Sequence, residues 1–335
     1  MNVAAELRLL PWRNVVLLLA ACMQGSSVHA QEPAANYPSR SSRIIVPYPP
    51  GGAVDPVARA IAQRLLTLWS QPVIVDNKPG GNTFIAAEAT ARAPADGYTL
   101  LIAAVGTLAV NPALYAKLPY DVSRDYAPIA KLADLPLILV VPPDSPIHSV
   151  KALVDHARAN PGKLTFASGG TGQGTHLAGE LFKSMAGVSM VHVPYKGNAP
   201  AVLDVMAGRV DMIFDGMAAS LSNVKAGKLR ALAVTTPRRS SAMPELPTVA
   251  EAALPGFDVG SWFGLLAPAG TPEPIISKLN EAVVRILREP EMITLMTGLG
   301  IEPAPSTPDE FARYIRSESA KWNQVIKDAN IKAEQ

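Results

Sequence analysis

The stretch RIIVPYPPGGAVDPVARAIAQRLL, residues 43–66, carries three local signals in a row. Ile44, Ile45 and Val46 form a β-branched run of the kind that fills a buried strand, and the prolines and glycines from Pro47 to Gly52 interrupt any regular element. Val57, Ala58, Ile61, Ala62 and Leu65 then recur at helical spacing, with Asp55 placed to cap the helix and Pro56 tolerated in its first turn. A strand, a glycine loop and a helix start bring free backbone N–H groups and the positive end of a helix to one point. That suits an anion, above all a carboxylate. The same pattern also serves as an ordinary connection, so the rest of the chain decides between the two.

Working outward, the pattern repeats. Val73 to Val75 is a second short strand, Asn77-Lys78-Pro79-Gly80-Gly81 a second glycine turn, Thr83 to Ala93 an alanine-rich helix and Tyr98 to Ala103 a third strand. Strands and helices alternating over short connections predict an α/β fold with a parallel sheet flanked by helices. Loops that follow parallel strands gather at one edge of the sheet. Gly106 and Thr107, in the small-residue turn after the third strand, are therefore candidates for a second contact, although a plain helix start reads the same.

Ile129 to Val141 is a long apolar stretch, interrupted by Asp134 and Pro136, that closes with Pro142-Pro143-Asp144-Ser145-Pro146, where a first crossing between lobes is placed. Leu164 to Ala167 starts a second sheet and runs into SGGTGQGTH, residues 168–176. The glycines free this backbone to wrap an anion, and Thr171 and Thr175 add hydroxyl donors at a helix start. The register does not match GxGxxG, no acidic residue stands about twenty positions on, and no Gly-Lys-Ser/Thr ending follows. A small anion fits better than a nucleotide. His176 reads either as an interior packing residue or as a ligand contact. Metal coordination lacks both cysteine and a second histidine at ligand spacing.

The loop Pro194-Tyr195-Lys196-Gly197-Asn198 follows the strand Val191 to Val193. Tyr195 has a ring and a hydroxyl to close over a ligand and Lys196 a charge to neutralise a carboxylate; an ordinary exposed loop is the plainer reading. Asp215, at the end of the strand Val210 to Phe214, either accepts from a ligand amine or hydroxyl or caps the next helix. Trp262 to Pro268 looks like a strand returning to the first lobe, with the Trp262-Phe263 pair read as hinge packing. Pro272 to Arg288, Glu291 to Leu299 and Pro308 to Ala329 read as helices.

At 335 residues, 48% hydrophobic and 17% charged, the chain is long enough for two lobes, and its net charge of +2 gives a nucleic-acid role little support. Arg8 and Arg13 precede the apolar run Val15 to Cys22, and Val28-His29-Ala30 offers a small-residue cleavage site, which together describe an export signal over residues 1–30. Cleavage there removes Cys22, the single cysteine, so the mature chain has no disulfide. Leu19-Ala20-Ala21-Cys22 also reads as a lipoprotein box, which would leave Cys22 as a lipid anchor. Either route places the protein outside the cytoplasm.

These residues together resemble the extracytoplasmic solute-binding proteins of tripartite tricarboxylate transporters, the Bordetella uptake gene (Bug) family. The resemblance is carried by PYPPGG at 47–52 with Asp55 and Arg59, NKPGG at 77–81, ADGYTL at 95–100, Gly169 to His176, VPYKG at 193–197 and GKLRALAV at 227–234, and it covers the mature chain in order. It implies an α/β, two-lobed periplasmic binding protein fold of type II, each lobe a mostly parallel sheet, with a hinge between them. Lobe 1 would comprise residues 40–141 and 267–335, and lobe 2 residues 142–266. It further implies a monomer without cofactor or metal that hands a small carboxylate to membrane permease subunits. Tyr48, Pro49, Gly52, Val54 and Asp55 would line one side of the cleft with Gly106 and Thr107. Ser168, Gly169, Thr171, Gly172, Thr175 and His176 would face them, with Tyr195, Lys196 and Asp215 completing the pocket. Closure would bring Thr171 and Thr175 toward Gly52.

Two other functions are compatible with parts of the pattern. A hydrolase could pair His176 with Ser168 or Thr175 and Asp215, but no nucleophile elbow or metal cluster supports it. A sensory protein could present the same ligand to a membrane receptor.

Overall fold

The structure is a computed structural model that describes residues 35–51, 54–329 and 331. The leader over residues 1–30 with Cys22 and Ala30, and the loop residue Gly52, lie outside the described residues.

The first sheet grows from the strand-loop-helix unit. β1 (Ser42–Val46) pairs in parallel with β2 (Val73–Asn77) on one side and β3 (Thr99–Ala104) on the other. Alternation along β1 sends Ile44 and Val46 to one face and Ile45 to the other. Ile44 and Val46 pack with Val57, Ile61 and Leu65 of α1 (Val54–Trp69), and fully burying each such side chain contributes about 1.5–3 kcal/mol. Asp55 lies inside the first turn of α1 rather than capping it. α2 (Phe84–Ala91) begins one residue later than its composition suggests, because Asn82 and Thr83 take left-handed φ values of 47° and 77°.

The second sheet repeats this order with β5 (Thr165–Ser168) parallel to β6 (Val191–Pro194) and to β7 (Met212–Gly216). The parallel arrangement holds for these outer triplets, while the strands joining them run against it. β4 (Tyr126–Val141) pairs antiparallel with β9 (Gly260–Pro268) as far as Pro136, and from Leu137 onward with β7 and β8 (Arg230–Val234). β9 in turn is antiparallel to β3, and the short β10 (Glu302–Pro303) adds to β4. One long, largely apolar strand therefore belongs to both sheets, which explains why residues 129–141 run on past Asp134 and Pro136 without a turn.

A single hydrophobic cluster runs across this junction. It takes Ile45 and Leu101 from the first sheet, Leu139 and Phe214 from the second, and Phe311, Ile315 and Trp322 from the long C-terminal helix at Pro308–Asp328. That helix opens with a capping box in which Thr307 and Glu310 satisfy each other's backbone N–H groups. Among the described residues no helix is long and apolar enough to cross a membrane.

Candidate functional site

The loops that follow β3 and β5 meet at a cavity of about 630 Å³. Val105, Gly106, Val110, Asn111, Leu114 and Tyr115 line it from the first sheet, and Thr171 to Thr175 with Leu177 line it from the second. Asn82, Leu137, Asn198, Val259 to Ser261 and Trp322 complete the wall. No lining side chain among the described residues carries a charge. The polar groups are amides, hydroxyls and backbone.

Two helix starts face this space. After β3 the chain turns directly into a wide π-type turn, Gly106–Val110, that continues as α3 (Asn111–Leu114). After β5 the glycine loop leads into α4 (Gly174–Ala186). Much of the loop's hydrogen-bonding capacity is used internally: Gly169 N–H donates to the Thr175 hydroxyl at 3.0 Å, Gly170 N–H to the Ser168 hydroxyl at 3.2 Å and Gly172 N–H to His176 Nδ1 at 3.0 Å. The first N–H groups of α4, at Gly174 and Thr175, have no partner within their own helix and stand at the cavity wall. They supply partial positive charge where no side chain does.

Of the residues expected from the sequence, Gly106, Thr171, Gly172 and Thr175 line this cavity. Gly169, Tyr195 and Lys196 line a neighbouring space of about 430 Å³ that shares Thr171 and Gln173 with it. There the Tyr195 hydroxyl donates to Asp204 at 2.6 Å, and Lys196 is exposed. The other expected residues support the walls. Asp55 accepts from Gly51 N–H at 3.2 Å, Arg59 Nε at 2.9 Å and Asn77 Nδ2 at 3.0 Å, so it pins the loop that carries Tyr48 and Pro49. The Arg59 hydrogen bond holds its carboxyl below the usual range. Val54 is buried at the head of α1, and burial pushes the Tyr48 phenol up to about 12. The Thr107 hydroxyl meets that of Thr83 at 2.8 Å.

Ser168 is fully buried and bonds His192 Nε2 at 2.6 Å, not His176. Asp215, 1% exposed, accepts from Asn198 Nδ2 at 3.0 Å and the Ser220 hydroxyl at 2.6 Å, and burial raises its pKa. Ser168, His176 and Asp215 therefore do not assemble as a hydrolytic triad.

Several wall residues escaped the sequence reading. Asn82 donates to the Tyr115 hydroxyl and its carbonyl accepts from Asn111 Nδ2 at 2.9 Å, which ties the second glycine turn to α3. Left-handed φ at two non-glycine residues is a conformation that ligand clamps use, and the preceding Gly80-Gly81 was the available signal. Asn198 opens the helix α5 (Asn198–Met206) directly after Gly197, whose φ is 103°. Its Oδ1 is buried without a partner. Trp322 gave no signal beyond helical spacing.

Paired sheets sharing a strand, with a loop-lined uncharged cavity between helix starts, suit the binding of a small solute. Residues 57–331 match the tripartite tricarboxylate transporter family receptor, and the chain belongs to that family, which includes the Bug proteins. It is 42% identical over 324 residues to the UPF0065 protein in the tcbD-tcbE intergenic region of Pseudomonas sp. strain P51, covering 96% of each chain. With protein BugT of Bordetella pertussis it shares 37% identity over 323 residues, 95% of this chain and 99% of that one. The solved structure of R. palustris Rpa4515 with adipate is 38% identical, with a TM-score of 0.72 over 88% of this chain and 99% of that one. The fold is accordingly the two-lobed periplasmic binding fold, and the family is one of periplasmic receptors, not of enzymes.

Proposed function

We propose that this protein captures a small carboxylate in the 630 Å³ cavity and delivers it to the membrane permease of a tripartite tricarboxylate transporter. The observation that carries the reading is an uncharged wall with the N–H groups of Gly174 and Thr175 at it. Such donors bind an anion without a dedicated arginine, and enclosure strengthens them by lowering the local dielectric. A relative that is seen with adipate supports the same ligand class. Residues 40–141 with 267–335, and 142–266, act as the lobes that close on the ligand. The working form is a periplasmic monomer released by cleavage after Ala30.

Thermal unfolding of the mature protein, refolded to strip carried-over ligand, tests this against mono-, di- and tricarboxylates, acidic amino acids and aromatic acids. Each acid is paired with its neutral amide. A ligand at about 100 times its Kd adds about 2.7 kcal/mol to stability. A rise in Tm with one acid class but not with its amides, and without consumption of the compound, is the expected result. No rise with any acid removes the reading.

A further inference from the structure

Two stacked imidazoles lie behind the glycine loop. The rings of His176, in the first turn of α4, and His192, on β6, have centroids 3.8 Å apart and planes 16° from parallel. Phe166 of β5 stacks on His192 at 4.9 Å. Both nitrogens of the His176 ring are engaged: Nδ1 accepts the Gly172 N–H at 3.0 Å, and Nε2 lies 3.6 Å from Glu180 Oε1. A neutral imidazole has one N–H and one acceptor nitrogen, so this arrangement selects the tautomer protonated at Nε2. The residue it holds, Gly172, lines the cavity at φ 80°, between Gly170 and the head of α4.

We infer that His176 is a positioning residue: its Nδ1 accepts the Gly172 N–H and holds that glycine in place at the cavity wall, and carboxylate capture depends on this acceptor. Stacking on His192 keeps the ring from turning away. Glu180 and Lys183 of α4 pair at 2.8 Å, Asp328 of the C-terminal helix lines the same groove, and the Ser168 hydroxyl of β5 holds His192. Burial first, and then the neighbouring His176, lower the His192 pKa to about 4, so this ring stays neutral through the ordinary histidine range. His176 never touches the ligand in this scheme.

The binding readout rests on the carboxylate reading above, so a second readout is free of it. Nitrogen-15 NMR of the ligand-free protein near neutral pH should show His176 with an acceptor Nδ1 and a protonated Nε2. A protonated Nδ1 overturns the inference. Calorimetric titration with adipate near neutral pH then compares wild type with His176→Asn, whose Oδ1 can accept the Gly172 N–H. His176→Phe keeps a ring and loses the acceptor. His176→Asn should bind adipate as wild type does, and His176→Phe should be about tenfold weaker. His176→Phe binding as tightly as wild type overturns the inference. If adipate does not bind, that counts against the ligand reading, and the tautomer alone decides for or against His176.

Discussion

The side-chain amide of Asn198 donates to the Asp215 carboxylate at 3.0 Å, and this bond fixes which way the amide faces. Its oxygen is left toward Gly169, buried and without a protein partner. A residue that the sequence offered as a ligand contact thus orients one that it did not offer. Asp215→Ala leaves the Asn198 amide and the Ser220 hydroxyl without their acceptor, and should cost about 2 kcal/mol in denaturant unfolding at neutral pH. An unchanged midpoint would contradict the arrangement. The sign of its pH dependence follows from burial, which raises the Asp215 pKa. The folded state holds this proton more tightly than the unfolded chain, so this contribution to stability falls as pH rises from the ordinary carboxylate value through the raised one. Asp215→Ala lacks that component.

A methyl group on Gly169 would stand 2.1 Å from Asn198 Oδ1 and 2.7 Å from Gln173 Oε1. Gln173 is exposed, but Asn198 is tied to Asp215. Gly169→Ala should therefore weaken carboxylate binding by about tenfold or more while costing little global stability, because the clash meets side-chain ends and not the core. Affinity equal to wild type by calorimetry would show that Asn198 yields freely.

Asp55→Asn keeps the shape of the loop anchor but replaces one acceptor oxygen by a donor. Arg59 and Gly51, which share Oδ2, then compete with the remaining oxygen's partner Asn77. The Asp55 pKa is lowered, so its stabilisation is present above the unfolded carboxylate value and is lost as pH falls through the folded one. Urea midpoints should show a deficit of about 1–2 kcal/mol near pH 7 that narrows as pH falls below the ordinary carboxylate value. A deficit that persists in acid would point to packing instead of charge.

Glu318, 3% exposed, accepts the indole N–H of Trp262 at 2.8 Å and that of Trp322 at 3.1 Å, and pairs with Lys321 through its other oxygen. Trp262 belongs to β9, which pairs with the strand shared by both sheets, and Trp322 to the cavity wall. Glu318→Ala strands two buried donors and should cost about 2–4 kcal/mol, with a red shift of tryptophan emission as the indoles meet water. Native emission with unchanged stability would refute this account of the junction.

The local units were readable because each is stated within about twenty residues of chain: a β-branched run, a glycine break and a period near 3.6. That is why β1, α1 and the loop at 168–176 stand where their residues place them, and why Gly106 and Thr171 line one cavity. The antiparallel course of β4 and β9 was not readable, since an apolar strand buried on both faces has no period that reports its direction. Supporting roles were hidden for a related reason. Asp55, Ser168 and Asp215 have the chemistry of ligand contacts, and only their partners, which are distant in sequence or on neighbouring strands, show that their capacity is taken up. Asn82 and Trp322 are cavity residues through tertiary placement that no local pattern encodes.

The central claim is that a carboxylate is held by backbone N–H groups at the head of α4 and not by a side-chain cation. A crystal structure of the mature protein with a carboxylate selected by thermal shift tests it most directly. The account predicts carboxylate oxygens within hydrogen-bonding distance of the Gly174 or Thr175 N–H, inside the cavity that Gly106 and Trp322 also line. A carboxylate paired with Lys196, or seated outside this cavity, would contradict it.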